Sequence, residues 1–358
     1  LALLALAASA AGVRAQDAGP EGGPGFVFHG YLSQAFAVSD GHQILGIPDS
    51  GTADYRTAAL QFRATVSRND AFVVQLSQER LGDSPVMKVR SEIDLGWIFY
   101  ERRLGDASSL RLGKVKIPIG IYNEIRYVGP LLPFFRTADA LYGEGSYTFD
   151  SMNGAVFSTR LFGGRRFSID ADAYAGEWRL LQIDFATYAR AKKGLGGQLW
   201  LNTPVRGLRG GLAANRATWE DSIGAPPGSR ATHERWVASL DANGARYRLN
   251  AELAKESFDG NAFTAGYLLG TWRVNDKLSV NLQTSRSRLE LGAPLDFDEE
   301  MTRDHAVGLS YAFRRDLVLK VENHWARGRM FDETEFATNL RTPVLRADYV
   351  IVSLSTLF

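Results

Sequence analysis

The sequence predicts an all-β fold: a transmembrane antiparallel β-barrel of about 16 strands whose third extracellular loop folds inward. Three observations lead there. Apolar and polar residues alternate with period two in segment after segment, the signature of strands with two unlike faces. The links between these segments alternate between short and long, the rhythm of a barrel with tight turns at one rim and large loops at the other. The longest link, residues 118–151, is too apolar and aromatic to be a disordered connection. Its Ile119, Ile121, Tyr122, Ile125, Leu132 and Phe134 need a surface to bury against, and the inner wall of a barrel supplies one.

Residues 1–15 read as a secretory signal peptide, truncated at its start. An apolar, Ala-rich run ends in Val13-Arg14-Ala15, a small-x-Ala cleavage pattern. The run is too short for a membrane helix, which needs about 20 apolar residues. Residues 16–25 form a short, Gly- and Pro-rich periplasmic segment, and the outer-membrane β-barrel occupies 26–358 with its constriction loop at 118–151.

The first barrel strand spans Phe26 to Val38. Tyr55 to Ser67 alternates cleanly, with Leu60, Phe62, Ala64 and Val66 on one face and Gln61, Arg63, Thr65 and Ser67 on the other. Ala71 to Glu79 and Glu92 to Leu104 repeat the pattern, and further strands are expected at 108–117, 152–162, 166–176, 195–203, 207–219, 232–242, 245–258, 261–273, 277–291, 302–313, 316–327 and 346–358. Tight turns fall at Asn69, Asp106, Gly163-Gly164, Pro204 to Gly207, Asn243-Gly244, Asn275-Asp276 and Arg314 to Asp316. One link breaks the rhythm: Asp259-Gly260 is short where a long loop is due, so the pattern there fits about sixteen strands or a count that differs by two.

Composition narrows the function classes. The formal net charge of +1 gives no electrostatic reason to bind nucleic acid or to attach to a membrane surface. Absence of cysteine removes disulfides, a thiol nucleophile and thiolate metal sites. No cofactor or metal site is predicted. A secreted sandwich or propeller would place strands every 8 to 12 residues; this chain uses more, shows no blade-length repeat, and carries polar faces too extensive for a sandwich core.

An Arg or Lys on the lipid face at mid-membrane costs about 2–4 kcal/mol, so the polar phase of each strand should face the lumen. That places Arg63, Arg102, Arg209, Arg235, Arg246, Arg248 and Lys320 inside, with Glu79, Asp94, Asp170, Asp172, Asp241, Glu252 and Glu322. Lys114 and Lys116 share parity with Leu110 and Leu112; either a bulge at Gly113 turns both lysines into the lumen, or the strand has already left the membrane there. Phe99, Phe167, Tyr247, Phe313 and Phe358 are expected in one aromatic girdle, and Trp236, Phe263 and Trp325 in the other.

The run Arg111 to Glu124 (RLGKVKIPIGIYNE), after Leu95 to Tyr100 (LGWIFY), resembles the approach to the third loop in a family of bacterial porins; His29 to Gln34 (HGYLSQ) is similar to the opening strand, and the terminal Phe358 to its assembly signal. The family is that of sixteen-stranded outer-membrane porins, broadly related to phosphate-selective and dicarboxylate-type channels. The resemblance implies a homotrimer in the outer membrane of a Gram-negative bacterium, among outer-membrane lipids and lipopolysaccharide. The loop lacks the dense lysine set that would suit phosphate.

The expected function is a water-filled channel for passive diffusion of small hydrophilic solutes or ions, with Glu124, Arg126, Arg136, Asp139 and Glu144 at the constriction. Lumen-wall charges would be Arg63, Arg102, Lys114, Lys116, Arg209, Arg246, Arg248 and Lys320. The loop charges either select ions or pair to pin the loop. Alternatives are a channel selective for an organic or inorganic anion, and a non-conducting barrel acting as a surface binding protein. A barrel enzyme is disfavoured, because the five histidines are scattered and no Gly-x-Ser-x-Gly elbow occurs. The acidic run Asp296, Asp298, Glu299 and Glu300, with Asp304, is either a solvated loop tip or a divalent-cation site.

Overall fold

Each stretch of period-two alternation becomes a strand. The computed structural model describes residues 25–88, 92–143, 151–164, 166–181, 188–220, 230–293, 295–329 and 343–358. The expected signal peptide, nearly all of the segment that follows it, and Glu144 lie outside the described residues. The strands are β1 Gly25–Asp40, β2 Thr52–Thr65, β3 Asp70–Leu81, β4 Asp94–Arg103, β5 Ser108–Lys116, β6 Ser151–Gly163, β7 Ser168–Leu181 and β8 Tyr188–Asn202. They continue as β9 Leu208–Glu220, β10 Arg230–Asn243, β11 Tyr247–Phe258, β12 Asn261–Arg273, β13 Leu278–Leu291, β14 Phe297–Arg314, β15 Leu317–Gly328 and β16 Leu345–Leu357.

All sixteen join in sequence order into one closed antiparallel barrel, β1 pairing with β16. The seam is completed by the last residue: Phe358 N–H donates to Gly30 O at 3.0 Å and Gly30 N–H to Phe358 O at 2.8 Å. Closure leaves no unpaired sheet edge. The doubtful link is a true hairpin, because Asp259 (φ 47°) and Gly260 (φ 79°) both occupy the positive-φ region that a tight two-residue turn requires.

The wall is inverted relative to a water-soluble protein. Along β13, Asn281, Gln283, Ser285 and Ser287 are buried while Leu282 between them is 58% exposed. On β15, Lys320, Glu322 and His324 are buried while Val321 and Trp325 face outward. An apolar exterior of this kind is the lipid-facing surface of a membrane barrel. At the short-turn rim, outward rings cluster: Phe28 packs on Phe62 and on Phe358, Phe162 on Phe167, and Tyr311 on Phe313. Phe99 and Phe263 leave the expected girdles and pack against the interior cluster.

Three expected lumen-wall residues are placed elsewhere. Arg102 is on the outer face: the β3–β4 register skips Gly96, which flips the phase of β4, so Trp97, Phe99 and Glu101 turn inward and Ile98, Tyr100 and Arg102 outward. Arg102 bridges Asp70 at 3.0 Å near the short-turn rim, where a long cationic side chain can reach water. Lys114 also stays outside. No bulge forms at Gly113, which pairs in unbroken register with both neighbours, and Lys114 pairs with the outward Ile98. Arg246 is exposed in the turn between β10 and β11 rather than on the wall. Lys116, past the last pairing with β4, is buried inside, its ammonium 5.3 Å from the Trp97 ring and 5.0 Å from that of Tyr127.

A row of glycines, Gly113, Gly154, Gly176 and Gly194, runs in register across β5 to β8. A Cβ on Gly154 would lie 2.1 Å from Ala175 O and 2.6 Å from Gly176 Cα, both backbone atoms that cannot swing aside. Gly154→Ala is therefore expected to cost about 1–3 kcal/mol, read as a lower unfolding midpoint in detergent, whereas Gly270→Ala, with open space around it, should be near neutral.

Candidate pore constriction

Residues 117–143 leave β5 and enter the barrel. Their main chain has few internal partners, so its polar groups must be satisfied by the wall. Gly120 N–H donates to Gln198 Oε1 of β8 at 2.6 Å, and Ile121 N–H to Glu252 Oε1 of β11 at 2.9 Å. Tyr122 hydroxyl donates to Asn250 Oδ1 at 2.9 Å. Further along, Asn281 Nδ2 of β13 donates to Pro133 O at 3.0 Å, and Lys320 Nζ of β15 to Gly129 O at 2.7 Å and Phe134 O at 2.8 Å. Phe135 N–H donates to Glu322 Oε1 at 2.9 Å, and Arg136 Nη1 to the Tyr55 hydroxyl of β2 at 3.2 Å. Since β2 and β11 stand on nearly opposite sides of the ring, a segment bonded to both crosses the interior.

Glu252 is the central anchor. Its carboxylate accepts from Ile121 N–H, the Ser239 hydroxyl, the Tyr267 hydroxyl at 2.8 Å and the Tyr142 hydroxyl. Tyr142 belongs to a single helical turn, Asp139–Tyr142, and its oxygen also accepts Ile121 N–H at 3.1 Å and Tyr122 N–H at 3.2 Å. One wall carboxylate thus ties the beginning and the end of the described segment together. Four donors on one carboxylate satisfy its lone pairs, which a buried charge requires.

The expected constriction residues divide into separate arrangements. Glu124 bridges Arg111 of the β5 wall at 3.0 Å, away from the loop arginines. Arg136 bridges Asp139 within the loop at 3.3 Å. Arg126 is buried, its Nη1 3.3 Å from Asn123 Oδ1 and its guanidinium 5.1 Å from the Tyr127 ring. Arg126 and Arg136 nevertheless line one recess together, with Thr57 and Glu79 of the wall and Tyr127 and Thr137 of the loop.

On the wall, Arg63 bridges Glu101 at 2.5 Å, Arg209 bridges Asp241 at 3.0 Å, and Arg248 lies 3.8 Å from Asp241 and 5.5 Å from the Tyr122 ring. Gln198, Asn250, Asn281 and Tyr267, which position the loop, were not singled out in the sequence. The inward phase of Asn250 and Asn281 was the available sign. The acidic run forms ion pairs: Asp298 with Arg288, Glu300 with Arg303, Glu299 with Arg329, and Asp304 with His324.

No protein-family profile matches the sequence, and no curated protein matches it. Solved structures do. OmpT, an outer membrane protein of Vibrio cholerae in its trimer form, aligns with a TM-score of 0.60 at 12% identity over 94% of this chain and 100% of that one. The outer membrane channel DcaP of Acinetobacter baumannii aligns at 0.60 and 10% identity over 94% and 98%. The anion-selective porin from Comamonas acidovorans aligns at 0.58 and 12% identity over 94% and 100%. With near-complete coverage of both partners at such low identity, what this chain shares with them is the fold, the sixteen-stranded barrel of outer-membrane porins.

Proposed function

We propose that the protein is a non-enzymatic porin of a Gram-negative outer membrane, a water-filled channel for passive diffusion of small hydrophilic solutes or ions. The observation that carries this reading is the closed barrel with an apolar exterior, a polar inner wall, and a segment fixed across its interior by wall side chains. A barrel of sixteen strands is wide enough for an aqueous lumen, and a loop laid across it sets the size limit. Residues 1–15 act as the export signal and are removed, leaving 16–25 as a short periplasmic lead into the barrel. The trimer form of the Vibrio cholerae relative supports a homotrimer here as well.

Selectivity follows the sign of charge at the narrowest point. Arg126 and Arg136 face one recess with Glu79; Arg136 is paired with Asp139, so Arg126 and Arg136 set the sign of the recess only as far as Glu79 and Asp139 leave them unbalanced. Neutralising Arg126→Gln or Arg136→Gln is expected to move the reversal potential in a tenfold salt gradient towards cations by several millivolts. Unchanged potentials in both variants would remove these residues from the narrow point.

The test of the function is single-channel current from the refolded chain in a planar bilayer. Steady conductance supports the channel. Silence from verified folded protein supports the second reading, a closed barrel serving as a surface binding protein, for which the satisfaction of so many loop groups by the wall is the favouring observation.

A further inference from the structure

A second loop also turns inward. The link between β1 and β2, residues 41–51, buries Ile44 and Ile47 in one cluster with Tyr55 of β2, Leu81 of β3, Tyr349 of β16 and Phe135 of the crossing segment. The two isoleucines close a turn on each other, Ile47 N–H donating to Ile44 O at 2.9 Å and Ile44 N–H to Ile47 O at 3.3 Å.

Two glycines fix this strap to the end of β3. A Cβ on Gly46 (φ 78°) would stand 1.7 Å from Leu81 O, and one on Gly82 (φ 53°) 2.2 Å from Gly46 O. Asp83 N–H donates to Gly46 O at 3.0 Å. Beside Gly46, Leu45 takes φ 55°, a value that a leucine keeps only where its surroundings hold it. The consequence is where its carbonyl points.

That carbonyl accepts the Tyr55 hydroxyl at 2.9 Å. A phenol has one proton to donate, so with it committed to Leu45 O the oxygen presents lone pairs to a donor. Arg136 is such a donor, its Nη1 3.2 Å away, while Nη2 of the same guanidinium donates to Asp139 Oδ1 at 3.3 Å. Tyr55 is fully buried with its ring 5.2 Å from that of Phe135, so the phenol cannot swing aside. Arg136 is thereby held between two acceptors beside the recess it lines with Thr57, Glu79 and Arg126.

We propose that Tyr55 is a positioning residue of the constriction. The strap, acting through Leu45 O and the Tyr55 hydroxyl, keeps the Arg136 guanidinium apart from full pairing with Asp139, so the first outer loop as well as the crossing segment sets how readily small anionic solutes enter the recess. The inference rests on the constriction reading given above. Without the Tyr55 oxygen the fork closes on Asp139, and the recess loses part of its positive charge.

The chain has no cysteine, so Thr137→Cys in the recess lining gives a single thiol. In the full refolded chain, its rates of modification by a sulfonate and by a trimethylammonium methanethiosulfonate are compared. Their ratio reads the local charge whether or not the barrel conducts. Arg136→Gln should lower the anionic-to-cationic ratio about threefold, and Tyr55→Phe, which keeps the ring, about twofold, as expected for one charge a few ångströms away in a wet interior. Gly46→Ala, which lifts the strap off Leu81 O, should lower it as well and serves if Tyr55→Phe does not fold. Tyr55→Phe combined with Arg136→Gln should match Arg136→Gln alone, because Tyr55 acts through Arg136.

An unchanged ratio in Tyr55→Phe, beside a lowered one in Arg136→Gln, would overturn the proposal. So would additive effects in the combined variant, which would make Tyr55 a packing residue only. A ratio unmoved even by Arg136→Gln takes Arg136 out of the recess and removes the relay and the constriction reading together. Planar-bilayer current on the same samples separates the relay from the channel: silence with a lowered Tyr55→Phe ratio keeps the relay and removes the channel, and conductance with an unchanged ratio does the reverse.

Discussion

Glu252→Ala is expected to lower the stability of the folded barrel by about 3–5 kcal/mol and to raise single-channel conductance. The substitution strands the hydroxyls of Tyr142, Tyr267 and Ser239, which donate to this carboxylate, and leaves Ile121 N–H with the Tyr142 oxygen as its one remaining acceptor among the described residues. Each buried donor left without an acceptor costs about 1–3 kcal/mol, offset in part where water enters. The same carboxylate joins Ile121 to Tyr142, the two ends of the crossing segment, so its loss frees the segment from the β11 wall. Glu252→Gln keeps one carbonyl acceptor and should lie between wild type and alanine in both measurements. Urea unfolding in detergent checks the stability, and planar-bilayer recording checks the conductance. A destabilised variant with wild-type conductance would show that the segment stays in place through its other contacts.

Lys320→Met should have the next largest effect, a loss of about 3 kcal/mol accompanied by noisier open-channel current. Lys320 is 1% exposed, and its ammonium is shared between Gly129 O and Phe134 O. Charge-assisted hydrogen bonds contribute about 1.5–3 kcal/mol each, and methionine fills the volume without donating. Both carbonyls belong to the turn that Glu322 holds through Phe135 N–H, so the local failure should be a mobile turn rather than an unfolded barrel. Excess low-frequency noise with an unchanged mean current would be its signature. Lys320→Arg tests the charge separately: it restores the donors but overfills the site, and should recover part of the quiet current.

How far the molecule could be read in advance depended on the range of the interactions involved. Strand positions are local. Period two recurs wherever one face meets lipid and the other meets polar groups, so all sixteen strands were legible, including the pair separated by Asp259-Gly260. Inward phase was legible for Arg63, Arg209, Arg248 and Lys320, where the strand runs without interruption. It was not legible for Arg102, because the irregularity beside Gly96 inverts the phase and nothing in the alternation of β4 alone records which residue is skipped. Lys114 failed for the opposite reason: a bulge that would have turned it inward does not form, since Gly113 is paired on both sides.

The candidate site was less legible than the fold. That residues 118–151 enclose buried apolar groups followed from their composition, but their partners did not. Glu124 meets Arg111 rather than the loop arginines, and Arg126 and Arg136 share a recess with Glu79, a residue more than forty positions upstream of either.

A β wall with an apolar exterior and a polar interior, and a loop that has to find burial, are written into the chain's local pattern. Those properties follow from alternation and composition, which act over a few residues. Long-range pairing alone sets which wall groups receive the loop, with Glu252 on Ile121, Lys320 on Gly129 and Phe134, and Glu322 on Phe135. Such contacts depend on register accumulated through successive hairpins, where a single skipped residue moves every later pairing to the other face.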